Sequence, residues 1–566
     1  MNDSAREFHS CRQWLAPGRW LLALALLCGA TAQAATGPAQ TIEGLGTLSF
    51  PTSTKSGDAQ TAFAKGMLLL HVFEYTRAEQ AFQEAQRLDP DFAMAYWGEA
   101  MCATHPVWNQ QNMEAGRAAL AKLGKSPAAR AAKAPTAREK AYLAAAETLY
   151  GEGSKPERDQ KFLAAMEKMA ADYPDDDEAK SFQSLFLLGV SQGERNVPNF
   201  LKAAEIAQAV YSRNPNHPGA AHYWIHGMDD PAHAAGALEA ANSLAKIAPD
   251  AGHSQHMTAH IFMALGMWDA VVASNEAAGR VVATELRAKG QPPFTCGHYA
   301  EWLQYAYFQQ GRHWEGLQVL LNCQKESQET LAWFRAHPDQ RVLSMRTPAA
   351  FKARTDGSKV GMRAVAIVES ARYRERAAAM DLDVGDIGRD KGWADFSRGL
   401  EQAWRGDAPA AAKSLAALQA LASQKGEPGE GATTSAYLGL MAKMLEGVIA
   451  HKAGNTEKAL QLLAAAASAY DAIPFDFGPP VPVKPPHELR GEILLAAKRP
   501  AEAVAEFDLA LKTAPLRALS MLGRARALAA AGDSAGAKQA YAALHAIWQR
   551  ADKDLPELAE VNAQLR

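Results

Sequence analysis

Cysteine is scarce, with five in 566 residues, and two of them, Cys11 and Cys28, lie in the first 28. That leaves Cys102, Cys296 and Cys323 for the body of the chain, too few for a disulfide scaffold or a cysteine-rich zinc module. Aromatics make up only 8%. Excess charge is lacking too: 59 Lys and Arg against 62 Asp and Glu give a net charge of −3, so no basic field draws the chain toward nucleic acid. After the first 34 residues no segment has 18 uninterrupted apolar residues, so no membrane span is expected there. No glycine-rich phosphate loop, nucleophile elbow or dinucleotide fingerprint stands in a strand–helix setting, which argues against nucleotide enzymes. What remains is a long, 48% hydrophobic, alanine-rich chain suited to closely packed helices.

The first 34 residues have the form of an export signal. Arg6, Arg12 and Arg19 precede an apolar run from Trp20 to Cys28, and Ala32-Gln33-Ala34 supplies small residues for cleavage after Ala34. The run is too short to cross a bilayer, so a cleaved signal and a periplasmic or secreted location are expected. In such an oxidising compartment Cys296 and Cys323, flanking a helical hairpin that turns near Gly311, are able to approach.

Internal periodicity sets the architecture. Gly66, Ala78, Phe82, Ala85 and Pro90 are spaced by 12, 4, 3 and 5, the tetratricopeptide pattern, and Gly491, Ala503, Phe507, Ala510 and Pro515 repeat it. Gly447, Ala459, Leu463 and Ala466 give a further copy ending on Asp471, with partial copies at Gly399, Ala411, Leu415 and at Gly523, Ala535, Ala542. Small residues let two helices approach, the Phe position fills the gap to the next helix, and Pro ends the second. The predicted fold is therefore all-α, a tetratricopeptide-repeat-like α-solenoid of antiparallel hairpins with a concave groove.

The expected divisions are a signal at 1–34, an extended leader at 35–55, N-terminal repeats at 56–136, and degenerate helical repeats at 137–345. An irregular connection with a helix follows at 346–392, then C-terminal repeats at 393–566 with a Pro-rich loop at 474–486. Three helices are predicted within 137–190. Interruptions are expected at Arg346 to Lys359, Gly426 to Gly431 and Pro474 to Pro486, and an acidic loop from Asp381 to Lys391. Arg363, Arg372, Arg374 and Arg376 read as a solvated face.

Histidine concentrates in the centre. His217, His222, His226, His233, His253, His256, His260 and His298 fall within 82 residues, where the chain's 16 histidines would place about two. At about 100° per residue His253, His256 and His260 share one helical stripe, and His222 and His226 another. Converging imidazoles would suit zinc or copper; Asp229, Asp230 or Asp250 would add a carboxylate to zinc, and Met228, Met257 or Met263 a sulfur to copper(I). The bland alternative is polar packing at hairpin contacts, and no His-Glu-x-x-His motif is present.

The stretches Asn214-Pro215-Asn216-His217-Pro218-Gly219-Ala220-Ala221-His222 and Ala251-Gly252-His253-Ser254-Gln255-His256-Met257-Thr258-Ala259-His260, with His105-Pro106-Val107-Trp108, Trp268 to Asn275 and Pro474 to Leu489, make the chain recognisable. It resembles a large family of uncharacterised bacterial tetratricopeptide-repeat proteins, exported and His-rich at the centre. The resemblance covers most of the chain after the signal. It implies a shared pocket, with His71, Glu74, Trp97, Glu99, His105, Trp108, His298, His487 and Glu488 as wall candidates.

Three functions compete on this evidence. The first is a protein or peptide partner held in the concave groove. The second is a metal-binding protein or metal-dependent enzyme built on His222, His226, His253, His256 and His260, with Glu99 or Glu488 as base. The third is a structural assembly protein.

Overall fold

The computed structural model describes residues 38–192, 195–424 and 432–566. Twenty-six α-helices and two minimal two-stranded hairpins occur among them, so the fold is all-α. Consecutive helices pack as antiparallel pairs, beginning with Gly57–His71 against Tyr75–Leu88.

The repeat spacing has a direct steric cause. Phe82 is wedged between two helices at their glycines: a Cβ on Gly66 would lie 2.7 Å, and one on Gly98 2.3 Å, from its ring. Far along the chain Phe507 is held the same way, with distances of 3.0 Å to Gly491 and 2.3 Å to Gly523. Each ring thus locks its own hairpin to the next helix, as the spacing predicts.

Caps set the helix limits. Ser56 accepts the Ala59 amide, and Thr136 forms a reciprocal capping box with Glu139. The helices Ala137–Leu149, Lys155–Asp172 and Asp177–Gly189 match the three predicted in that stretch.

Several expectations are corrected. Arg346 to Lys359 is no interruption: Thr347 caps the helix Pro348–Glu369, with Pro348 in its first turn, where a missing N–H costs nothing. The 346–392 segment is accordingly mostly helical. The leader is not simply extended, since Gln40–Ile42 pairs antiparallel with Gly46–Leu48. Arg363 is buried rather than solvated and donates to the Met380 carbonyl, while Arg374 lies over the Trp404 ring. The acidic loop ends sooner than expected, because the helix Gly388–Arg405 begins within it. The stretch 474–485 is non-helical, as read. The export signal and the Gly426 to Gly431 break lie outside the described residues.

Two sets of contacts tie distant parts of the array to its centre. The leader hairpin donates from the Thr47 amide to Asn216 O, at 2.9 Å, and accepts the Asp250 amide on Gly44 O, at 3.1 Å, tying the N-terminus to the centre. From the other end, Trp268 donates to Leu516 O and Trp548 to Gln309 O, each at 3.0 Å. Arg517 is fully buried there, bonded to Glu488, Glu369 and Tyr305. Cys296 and Cys323 form a disulfide, and Cys102 is free and buried. Among the described residues no helix is long and apolar enough to cross a membrane.

Candidate metal centre

Two helices in the middle of the body, Pro218–Gly227 and Gly252–Ala264, are buried at every position, so their histidines cannot turn to solvent. His217 caps the first, accepting the Ala220 amide on Nδ1, and Pro218 follows it in the first turn. This start places His222 and His226 on one stripe, facing His253 on the second helix. The three rings meet: centroids are 4.8 Å apart for His222–His226 and 5.1 Å for His222–His253. One ring nitrogen of each lies within 4.8 Å of the others.

Hydrogen bonding leaves these nitrogens bare. His222 donates from Nδ1 to the His71 carbonyl at 2.7 Å, which fixes its tautomer and leaves a lone pair on Nε2. The Nε2 atoms of His222, His226 and His253 are all buried without a hydrogen-bond partner. Burial pushes the His222 pKa down to about 3 and those of His226 and His253 well below the ordinary value, with the neighbouring imidazoles adding to the shift. All three are therefore neutral near pH 7. Phe73 covers the group, its ring centroid 4.4 Å from His222 and 5.4 Å from His253.

A second triad adjoins the first. His256, His260 and His298 likewise bring one nitrogen each within 4.8 Å. Asn275 uses its amide N–H on the Val271 carbonyl, so its Oδ1 faces His256 Nδ1 at 2.7 Å and takes that proton. Asp229 holds His260 Nδ1 at 2.5 Å. Both Nδ1 hydrogens are thus committed, and the two Nε2 atoms face each other at 3.2 Å. Neutral imidazoles in these tautomers would oppose two lone pairs, so the pair requires a shared proton or a shared Lewis acid. Burial lowers the His256 pKa strongly, with His298 and His260 contributing. His298 sits at the exposed edge, and Trp302 and Phe477 pack on His260 with centroids at 4.4 and 5.0 Å.

A third cluster offers the same residue types but no free nitrogen. Glu178 accepts from His71 Nε2 at 2.6 Å and from His217 Nε2 at 3.0 Å. The remaining nitrogens are used by Tyr223 OH, 2.9 Å from His71 Nδ1, and by the Ala220 amide on His217. His71 is thus a buried network residue rather than a groove-facing one.

The other sequence candidates separate. Glu74 and Trp108 border the first triad: Glu74 accepts the His253 amide at 3.3 Å, burial raising its pKa, and Trp108 meets the His253 ring edge-on at 5.8 Å. His105 stacks on Tyr75 at 3.8 Å beside Trp108. Trp97 is core, among Phe50, Tyr142 and Phe182. Glu99 is spent on Lys122, Gln83 and Gln86. Glu488 is held by Arg517, Lys484 and Ser520, and His487 by Glu506 and Asp471. Neither Glu99 nor Glu488 is positioned as a base at the histidines. His233 pairs with Asp230 outside both triads, and each of the two triads consists of imidazoles.

Sequence reading missed Phe73 and Glu178; Tyr223 follows His222 in the recognised stretch that runs on to His226. Asn275 and Phe477 stand in the recognised motifs, and that was their only signal.

No protein-family model matches the chain, and no curated protein matches it. Solved structures with a similar path include the Cut9–Hcn1 hetero-tetramer of the APC/C, at 10% identity over 90% of this chain and 76% of that one, with a TM-score of 0.32. Human IFIT1 as a dimer with m7Gppp-AAAA is 12% identical over 88% and 91%, at 0.33, and yeast Tom70 11% identical over 90% and 93%, at 0.26. Likenesses this distant say nothing of what the chain binds.

Proposed function

We propose that this chain is a metal-binding helical-repeat protein that holds a late first-row transition ion, zinc or copper, on His222, His226 and His253, with a second three-histidine position at His256, His260 and His298. One observation carries this reading: three buried imidazoles each bring a ring nitrogen within 4.8 Å of the others, and none of their Nε2 atoms has a hydrogen-bond partner. Each orphaned buried polar group costs about 1–3 kcal/mol, so three together rival the 5–15 kcal/mol that holds a typical domain folded. A bound cation removes that penalty. Three imidazoles leave one tetrahedral position open, the ligand count of catalytic rather than structural zinc, so the centre is able to polarise a bound water or substrate. On the reading of residues 1–34 as an export signal the protein works in the periplasm or outside the cell, where a disulfide such as Cys296–Cys323 persists.

Elemental analysis of untagged protein tests the proposal. One to two equivalents of metal are expected, falling by at least one in His253→Ala; trace metal, or metal unchanged in that variant, would refute it. The groove-partner reading retains one anchor, the 42% exposed Trp108 at the edge of the first triad. Loss of a captured protein on Trp108→Ala would support it.

A further inference from the structure

Beside the second triad lies a cavity of about 150 Å³, lined by residues of the Pro-rich loop and by Thr513, Ala514 and Pro515 of the C-terminal repeats. His260 forms part of its wall. Around it stand three carboxylates, Asp229, Asp471 and Asp476, with Met263 and the rings of Tyr437 and Tyr470. Arg195, whose guanidinium lies over the Phe475 ring at 5.3 Å, is engaged by the Asp229 carbonyl and the Asp230 carboxylate. Asp471 is neutralised by His487 at 3.1 Å. Asp476 makes no ion pair of its own among the described residues: burial is the main influence on its pKa and raises it, the Asp229 charge adds to the rise, and the Phe477 amide and the more distant Arg195 charge work against it. The space is therefore small, acidic and continuous with an imidazole of the proposed centre.

The loop is fitted to this position. Gly478 has φ +103°, and a Cβ there would lie 2.7 Å from the Trp302 ring, so only glycine lets the backbone rest on that indole. Next to it Phe477 packs on His260.

We infer that this cavity is the entry vestibule of the metal centre: Asp476 draws a divalent cation in from solvent, and Phe477 gates its passage to His260. The inference rests on the metal reading of the histidines and adds a route and a gate to it. A carboxylate at the mouth of a low-dielectric pocket raises the local cation concentration and the on-rate without being a ligand of the final site.

The test is stopped-flow binding of cobalt(II) to full-length apo-protein, followed by visible absorption at low ionic strength. Asp476→Asn is expected to slow association on the order of 3- to 10-fold, with the stoichiometry unchanged and the difference collapsing in about 0.5 M salt. Asp58→Asn, an exposed position on the first helix, serves as the charge control and should bind at the wild-type rate. Phe477→Ala should speed both binding and release several-fold, which keeps the idea testable if the first variant folds poorly. Equal rates in wild type and Asp476→Asn, or equal slowing in Asp58→Asn, would overturn the entry route alone. Failure of the wild type to take up any cobalt would overturn the route and the metal centre together.

Discussion

His71, His217 and Glu178 on one side, and His222, His226 and His253 on the other, are neighbouring buried triads, each with ligand atoms within 4.8 Å. By residue type and spacing both qualify as metal sites. Hydrogen-bond accounting separates them. In the first, two imidazoles share one carboxylate and every remaining ring nitrogen has a partner. In the second, the one resolved Nδ1 bond points away and all three Nε2 atoms are bare. Bareness alone is not diagnostic, since Trp97 Nε1 and two Arg363 nitrogens are also orphaned. Those are single donors, however, which repel a cation. Three converging imidazoles, His222 among them with its Nε2 lone pair set by the Nδ1 bond, invite one.

The sharpest way to break the comparison is to remove the carboxylate. Glu178→Ala leaves His71 and His217 buried without their acceptor, and loss of one partner from such a buried network costs about 3–5 kcal/mol. Chemical denaturation should show that loss while the metal content of the folded protein stays unchanged. Metal lost in step with Glu178 would mean the two clusters are one site.

Adding metal should do the reverse. Free zinc at about 100 times its dissociation constant is expected to stabilise the protein by about 2.7 kcal/mol. His253→Ala should remove the share of that gain that the His222, His226 and His253 site contributes. In the metal-free protein His226→Leu should range from neutral to about 3 kcal/mol more stable than wild type, because it removes an orphaned polar group rather than a bonded one. A shortfall of about 3 kcal/mol or more in apo His226→Leu would show that the His222, His226 and His253 triad is as fully satisfied as the Glu178 cluster.

Asn275 offers a finer cut. Its Oδ1 holds the His256 Nδ1 proton and so turns the Nε2 lone pair toward His260. Asn275→Ala is expected to weaken metal binding 10- to 100-fold, about 1.4–2.7 kcal/mol, with all six histidines intact. Competition against a chromogenic chelator measures it, and unchanged affinity would assign Asn275 to packing alone.

How much of this was legible follows from what the sequence encodes locally. Gly66 and Phe82, or Gly491 and Phe507, touch across one helix pair, so a fixed spacing records the contact and the repeats could be read from it. The stripes of His222 with His226, and of His253, His256 and His260, are local in the same sense. Partners are not. Whether His222 is bare depends on a carbonyl 151 residues earlier, and whether His71 is satisfied depends on Glu178, 107 residues later in an acidic run that read only as a helix start. Glu99 and Glu488 looked available for catalysis for the same reason, Lys122 and Arg517 lying outside any motif. Arg346 to Lys359 misled locally, because Pro348 reads as a breaker until Thr347 is seen to cap the helix it opens.

The smallest effect is a pH dependence, and its sign separates the orphaned triad from a histidine that carries a charge. His222 titrates at about 3 in the folded protein, mainly through burial, and near 6.5 when unfolded. Below about pH 6.5 the unfolded chain therefore binds a proton that the folded chain refuses. Stability falls by up to about 1.4 kcal/mol per pH unit for this group, and the loss ends near pH 3. His487 runs the other way. Although burial works against its charge, bonds to Glu506 and Asp471 prevail and raise its pKa, so its contribution is present at low pH and disappears as pH climbs through the folded value. Denaturation at about pH 5 and 6 should thus show a shallower acid slope in His222→Leu than in wild type, while between about pH 6.5 and 8 His487→Leu should lose the part of the alkaline fall in stability that His487 contributes. If the His222→Leu slope equals that of wild type, His222 is already protonated or solvated in the folded state, and the dry, neutral triad on which metal binding depends does not exist.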